Sequence, residues 1–195
     1  VKHMAIAMND LLRSRFDRVD VTHARQKSRG LVARGPHAGS SFEAIASRVH
    51  ELPGVGTLTI CAAGGAFAGT GVDIGTRFLI EQLALVSLDA SESIDFACGT
   101  GLVAAWLALR DPSAHVLATD VSATAVTSAR ATVLANGVAD RVDVVQNVGL
   151  ASRADASASL IILNPPFHEG AAINNDLAPE LFADAARVLA PGGQL

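Results

Sequence analysis

The stretch "DFACGTGLVA", residues 95–104, decides the fold. A short apolar run reaches a carboxylate and an aromatic ring, turns through two glycines one residue apart, and enters an apolar segment of helical character. The order is strand, glycine turn, helix. Gly99 and Gly101 let the backbone pass close to a ligand at this turn, and the helix behind them aims its free amides and positive dipole end at that ligand. Nineteen residues after Gly101, Asp120 closes another strand, where a carboxylate can accept hydrogen bonds from ribose hydroxyls.

Working outward, the pattern predicts strands at 93–96, 115–119, 142–146 and 160–163, and helices at 75–87, 102–109, 122–135 and 177–189. Ser122 is the expected N-cap of the third of these helices and Asn136-Gly137 its C-cap. Strand alternating with helix means a parallel sheet covered on both faces, an α/β, Rossmann-like doubly wound fold. Upstream, "TLTICA" (57–62) reads as a strand before the turn Gly64-Gly65. Earlier still come a helix carrying Ala5, Ile6, Leu11, Leu12 and Phe16, a strand at 18–23, and a basic stretch at 25–34. Boundaries are expected in "ARGPHAGSS" (33–41) and at Pro53-Gly54. The chain opens without a start methionine and ends on "APGGQL", where Gln194-Leu195 would begin another strand. The expectation is a piece of a longer protein, with residues 1–40 as the tail of a preceding domain and 41–195 as a domain cut before its last strands.

Composition narrows the classes. Of 195 residues half are apolar and 4% aromatic, so the core should rest on small-residue packing between helices and sheet. No apolar run reaches the ~20 residues of a membrane span, and "VKHMAIAMND" lacks a secretory h-region, which favours a cytoplasmic protein. Cys61 and Cys98 stand in no cluster with metal-ligand spacing and are read as reduced thiols; no metal is expected. The net charge of −4 is unevenly spread. Residues 1–50 hold nine Lys/Arg against four acids, and the rest holds six against fifteen. That is the distribution expected if one part grips phosphate and another does chemistry, although a solvated basic face fits it equally well.

A second chemical signal is "LIILNPPFHEG", 160–170. The strand cannot continue through Pro165 and Pro166, so the Asn164 amide is left at its carboxyl edge, where open α/β sheets bind ligands. The spacing Gly99-x-Gly101-x-x-Ala104 with a later acid also satisfies the dinucleotide fingerprint, which makes an NAD-binding oxidoreductase a competing reading. Against it, Asp95 would repel a pyrophosphate but can hold an ammonium, and an oxidoreductase leaves Asn164-Pro-Pro-Phe167 unexplained.

Together, "DFACGTG", "ATDVSATAV" and "LNPPFHEG" resemble the motifs of class I S-adenosylmethionine-dependent methyltransferases. The Asn-Pro-Pro-Phe-His form is similar to the bacterial ribosomal RNA guanine-N2 methyltransferases, the family of methyltransferase C for small-subunit RNA and methyltransferase G for large-subunit RNA. "GVDIGTRFLIEQL" (71–83) resembles the family's helix before the first strand. The resemblance implies S-adenosylmethionine as cofactor, a guanine 2-amino group in ribosomal RNA or the ribosomal subunit as acceptor, and a non-catalytic, methyltransferase-like domain ahead of the catalytic one.

On chemistry, Asp95 and the backbone from Ala97 through Gly99 to Gly101 suit the methionine end of that cofactor, and Asp120 the ribose. Ala97 stands where many such enzymes have the first glycine, tolerable if its φ stays negative. Asn147 either contacts the adenine or caps its own turn. Asp73 and Thr76 either close over the cofactor or, for Asp73, cap a helix. An amine on an sp² carbon is a poor nucleophile; Asn164 Oδ1 and the Pro165 carbonyl can accept its hydrogens and orient its nitrogen. Pro166 holds this geometry, Phe167 stacks on the base, and His168 either contacts base or phosphate or caps backbone. The same motif would serve an N-methyltransferase of DNA adenine or protein glutamine, and a non-catalytic RNA-binding module is the reading from another class.

Overall fold

The computed structural model describes residues 6–25, 28–38, 45–88, 91–164 and 177–195, and the chain divides into two compact units, Val1–Glu43 and Ala44–Leu195. In the first, helix α1 (Ile6–Arg13) leads into an antiparallel hairpin of β1 (Phe16–Val21) and β2 (Leu31–Pro36). Phe16, expected in the helix, is the first residue of β1. The basic stretch ends in β2, which its polar sequence hides.

The second unit opens with another hairpin, β3 (Ile45–Leu52) and β4 (Gly56–Ala63), paired antiparallel throughout. Pro53-Gly54 is therefore the hairpin's turn and not a boundary, with Gly54 at φ +84°. Then come α2 (Ile74–Leu83), β5 (Glu92–Phe96), α3 (Leu102–Arg110), β6 (His115–Asp120), α4 (Ala123–Ala135), β7 (Val142–Gln146), β8 (Ala158–Leu163), α5 (Leu177–Val188) and β9 (Leu189–Gln194). The last strand follows α5 directly, earlier than Gln194, and its pairing to β8 is irregular between Ala158 and Leu160.

Strands β5 to β9 form one all-parallel sheet in the order β7-β6-β5-β8-β9. Alternation sorts its side chains to two faces. Val116, Ala118, Leu160 and Ile162 pack with α2, α3, α4 and the hairpin, while Ile94, Phe96 and Ile161 pack with Ala185 and Val188 of α5. Trp106 of α3 is fully buried, and its indole N–H donates to the Pro53 carbonyl at 2.8 Å, fixing the hairpin turn to the core.

The hairpin is held to α4 by side chains that stand in for a strand. Ser128, Thr132 and Asn136 lie four residues apart, about 6 Å per step along a helix. Alternate β4 residues repeat at about 6.6 Å. The Ala63 N–H donates to Ser128 Oγ at 2.9 Å, and the Cys61 N–H to Thr132 Oγ1 at 3.0 Å. Thr132 Oγ1 in turn donates to the Cys61 carbonyl at 3.2 Å. Asn136 closes the ladder, accepting from the Thr59 N–H at 2.9 Å and donating to its carbonyl at 2.7 Å. Near-matching repeats thus satisfy the backbone of β4 on the side away from β3.

Candidate functional site

The sheet reverses its order of winding at β5. From there the chain builds outward to β6 and β7 on one side and returns to β8 and β9 on the other. A crevice opens beyond the carboxyl ends of strands at such a switch point. Here it is a cavity of about 740 Å³, walled by Asp95 to Thr100, Asp120 to Ser122, Asn147 to Gly149 and Asn164, with Asp73 and Thr76 of α2 and Glu180, Leu181 and Asp184 of α5.

Asp95 is a buried acid of this wall, at 4% exposure. Its Oδ2 accepts the Ala104 N–H at 2.9 Å. The α3 N-cap is Gly101, which has no side chain to offer, so Asp95 supplies the cap from the neighbouring strand. Burial pushes its carboxyl up to about 7, against the pull of the Ala104 amide and with a further push from Asp120. Among the described residues no cation pairs with it. Asp120 bridges two turns, with Oδ2 accepting from the Gly99 N–H at 2.9 Å and Oδ1 from the Ser122 N–H at 2.8 Å. Each oxygen keeps lone-pair capacity toward the cavity.

Two expectations about the glycine turn are corrected. Ala97 has φ +61°, so the negative φ that would have made its methyl group tolerable is not there. The left-handed conformation costs roughly 1–2 kcal/mol for a residue with a Cβ. Gly101 was expected to admit a ligand, but it does not reach the cavity wall. A Cβ there would stand 2.7 Å from Ala129 Cβ, so its glycine serves the close approach of α3 to α4. Gly99, at φ +53°, does line the cavity, and a Cβ there would meet nothing within 4 Å.

Asn147 lines the cavity with its amide engaged locally. Its Nδ2 donates to Ser152 Oγ at 2.8 Å and its Oδ1 accepts from the Val148 N–H at 2.9 Å, which favours the turn-building reading. Asp73 is the N-cap of α2, accepting from the Gly75 and Thr76 amides at 2.9 and 3.3 Å. Thr76 Oγ1 receives the Asn164 Nδ2–H at 3.0 Å, so the amide at the end of β8 is anchored through its nitrogen and keeps Oδ1 as an acceptor. Pro165, Pro166, Phe167 and His168 lie outside the described residues.

Sequence reasoning passed over Phe67, Val121 and Val148, three exposed apolar side chains that also line the cavity, and the α5 carboxylates Glu180 and Asp184. Phe67 had a signal, as the one aromatic in the glycine-rich loop "GGAFAGTG" (64–71). Among the described residues, no helix is long and apolar enough to cross a membrane and no His/Cys/Asp/Glu group could hold a metal ion.

A parallel sheet with this strand order, a buried acid and glycine turn after its central strand and a second acid after the next has the class I methyltransferase fold. The family model of the methyltransferase small domain matches residues 57–195, and the chain belongs to that family. It is 42% identical over 131 residues to a ribosomal RNA large subunit methyltransferase G of Streptomyces coelicolor, covering 67% of this chain and 34% of that protein. To a ribosomal RNA small subunit methyltransferase C of Hahella chejuensis it is 38% identical, covering 76% and 42%. A solved T. thermophilus 16S rRNA N2 methyltransferase, in complex with AdoMet and guanosine, superposes with a TM-score of 0.73 at 22% identity, covering 96% of this chain and 51% of that one. The chain spans about a third to two fifths of the length of the curated relatives named here.

Proposed function

We propose that this chain is the catalytic part of a cytoplasmic N-methyltransferase that transfers a methyl group from S-adenosylmethionine to the exocyclic 2-amino group of a guanine in ribosomal RNA. The observation that carries the reading is the Asn164 amide, anchored by Thr76 at the edge of the same cavity that holds Asp95, Gly99 and Asp120. The residues fit the cofactor. Asp95 is a buried carboxylate with no cation beside it among the described residues, suited to an ammonium, and Asp120 retains acceptor capacity for vicinal hydroxyls. Gly99 leaves open space where a side chain would otherwise stand. Phe67, Val121 and Val148 offer apolar surface for a planar ring.

Bound in this cavity, S-adenosylmethionine supplies an electrophilic methyl group on a sulfonium. The protein's part is to orient the acceptor. Asn164 Oδ1 takes a hydrogen bond from the amine, turns its nitrogen lone pair out of conjugation with the ring, and stabilises the positive charge that grows on nitrogen. The Pro165 carbonyl is the second acceptor in this reading, with Pro166 stiffening the segment, Phe167 stacking on the base and His168 beside it. No side chain needs to act as a base before transfer, because the proton leaves an already cationic nitrogen. A guanine 2-amino group within a duplex is paired, so the nucleotide is unpaired or flipped when it reacts.

The naming of relatives for ribosomal RNA methylation of both subunits supports the substrate class, and the reading of residues 1–40 as the end of a preceding domain draws on the separate compact unit Val1–Glu43. The test pairs binding with turnover. Calorimetric titration should show S-adenosylmethionine binding in the wild type and in Asn164→Ala, while transfer of labelled methyl to unmodified ribosomal subunits should vanish in the variant. Turnover retained by Asn164→Ala would refute the role given to the amide; binding of NAD in place of S-adenosylmethionine would refute the reading as a whole.

A further inference from the structure

The two units carry opposite charge. Residues 1–43 hold eight Lys/Arg and four acids, a net +4, and residues 44–195 hold seven against fifteen, a net −8. An acidic catalytic unit repels a polyanion, so within residues 1–195 the long-range attraction for RNA comes from the first unit.

Within that unit the cations of the hairpin are segregated. Alternation along β1 and β2 puts Arg18 and Asp20 with Arg34 and Val32 on one face, and Asp17 and Val19 with Gly35 and Ala33 on the other. Arg18 stands directly opposite Arg34 in the register, a pairing of like charges that by itself disfavours the hairpin. Asp20 resolves it by dividing its carboxylate: Oδ1 accepts from Arg18 Nε at 2.9 Å, and Oδ2 from Arg34 Nη1 at 2.5 Å. The bond from Arg18, followed by that side chain's charge and then by the bond from Arg34, outweighs desolvation and holds the Asp20 carboxyl below its ordinary range. Three charged groups so arranged still carry a surplus of one positive charge.

Solvent-exposed ion pairs contribute little to stability, and these side chains are 70% and 60% exposed, so folding alone does not account for the triad. What the triad does is orient. Among the described residues Arg18 spends only Nε on Asp20, which leaves its two terminal nitrogens as donors; Arg34 spends one terminal nitrogen and keeps Nε and the other. Two guanidinium groups with their rotamers already restricted form a ready receptor for phosphate oxygens, the planar bidentate contact that arginine makes best. Such contacts position a nucleic acid without reading its sequence.

We propose that Arg18 and Arg34, clamped by Asp20 on one face of the β1–β2 hairpin, bind the sugar–phosphate backbone of the RNA substrate. The inference rests on the RNA substrate proposed above. Its test is fluorescence anisotropy of the full chain with a labelled ribosomal RNA fragment containing the methylated site, titrated from 50 to 200 mM salt. Loss of two phosphate contacts in Arg18→Gln/Arg34→Gln should lower the slope of log affinity against log salt by about 1.4 for single strands or about 1.8 for duplex. The wild type's advantage should therefore shrink by roughly tenfold across that salt range. Arg18→Lys/Arg34→Lys should recover most of the slope, because charge is retained, and both variants should bind S-adenosylmethionine as the wild type does and melt at a similar temperature. A wild-type slope in the Gln variant, with intact RNA binding, would overturn this proposal alone. Failure of the wild type to bind the RNA, with S-adenosylmethionine still bound, would overturn the RNA substrate along with it.

Discussion

Replacing Asp95 by asparagine should stabilise the protein in mild alkali while weakening its hold on S-adenosylmethionine. Burial lifts the Asp95 carboxyl from 3.8 to about 7, so the native state holds its proton more tightly than the unfolded chain does. A raised carboxyl contributes most at low pH, and that contribution is lost as pH rises from about 4 to about 7, after which it is constant. At 1.36 kcal/mol per pH unit, a rise of about three units makes the ionised group cost about 4 kcal/mol at pH 8. Asparagine keeps an oxygen for the Ala104 N–H and carries no charge. Urea titrations of wild type and Asp95→Asn should therefore agree near pH 4 and diverge in favour of the variant by up to about 4 kcal/mol at pH 8. Calorimetry at pH 8 should show the reverse order for cofactor affinity, since an ammonium loses its carboxylate. Near pH 7 the wild type should also release a proton on binding, visible as heat that depends on the buffer's ionisation enthalpy and absent in the variant. A variant that is no more stable at pH 8 than at pH 4, relative to wild type, would refute the claim that an uncompensated buried charge sits there.

Three further substitutions probe the scaffold. Gly101→Ala combines a φ of +73° with overlap against Ala129 and should cost about 2–4 kcal/mol, whereas Gly99→Ala meets open space and should cost only the roughly 1–2 kcal/mol of its left-handed backbone. Equal losses in chemical denaturation would contradict the division of labour between the two glycines. Thr132→Val keeps shape but strands the Cys61 N–H and carbonyl in the interior, an expected loss of about 2–4 kcal/mol with faster hydrogen exchange at Cys61. A loss under about 1 kcal/mol would mean that those backbone groups find other partners.

Where signals are local, the structure was legible in advance. Ser122 and Asn136-Gly137 bound α4 as expected because a cap acts within a few residues of itself. Strands β5 and β8 were visible because they are largely buried and read as apolar runs, whereas β9, "LAPGGQ", is half exposed and carries no such signal. Of each hairpin only one strand was visible, at 18–23 for β1 and 57–62 for β4. The sequence of β3, "IASRVHEL", is exposed along most of its length and owes its conformation to pairing with β4, a contact that its own residues do not advertise. At the site, Asp95, Asp120 and Asn164 could be placed because each ends a strand or nearly so. Whether a glycine faces a ligand or a neighbouring helix leaves no trace in the letter, so the close approach of Gly101 to Ala129 was not foreseen. Nor does the letter for alanine reveal a positive φ at position 97. Phe67, Glu180 and Asp184 reach the cavity from segments distant in sequence, and only the fold assembles them.

The ladder of Ser128, Thr132 and Asn136 along β4 also bears on how the molecule behaves in company. A strand with a free row of amides invites a strand from another molecule to add to it. Helix α4 occupies that row with hydroxyl and amide groups, so this edge is closed to self-association without the burial of another strand. The outer edge of β3 is guarded differently, by the polar and charged residues Ser47, Arg48, His50 and Glu51. Sequence drift at three helix positions that do not line the cavity would thus surface as lost stability and as insolubility together.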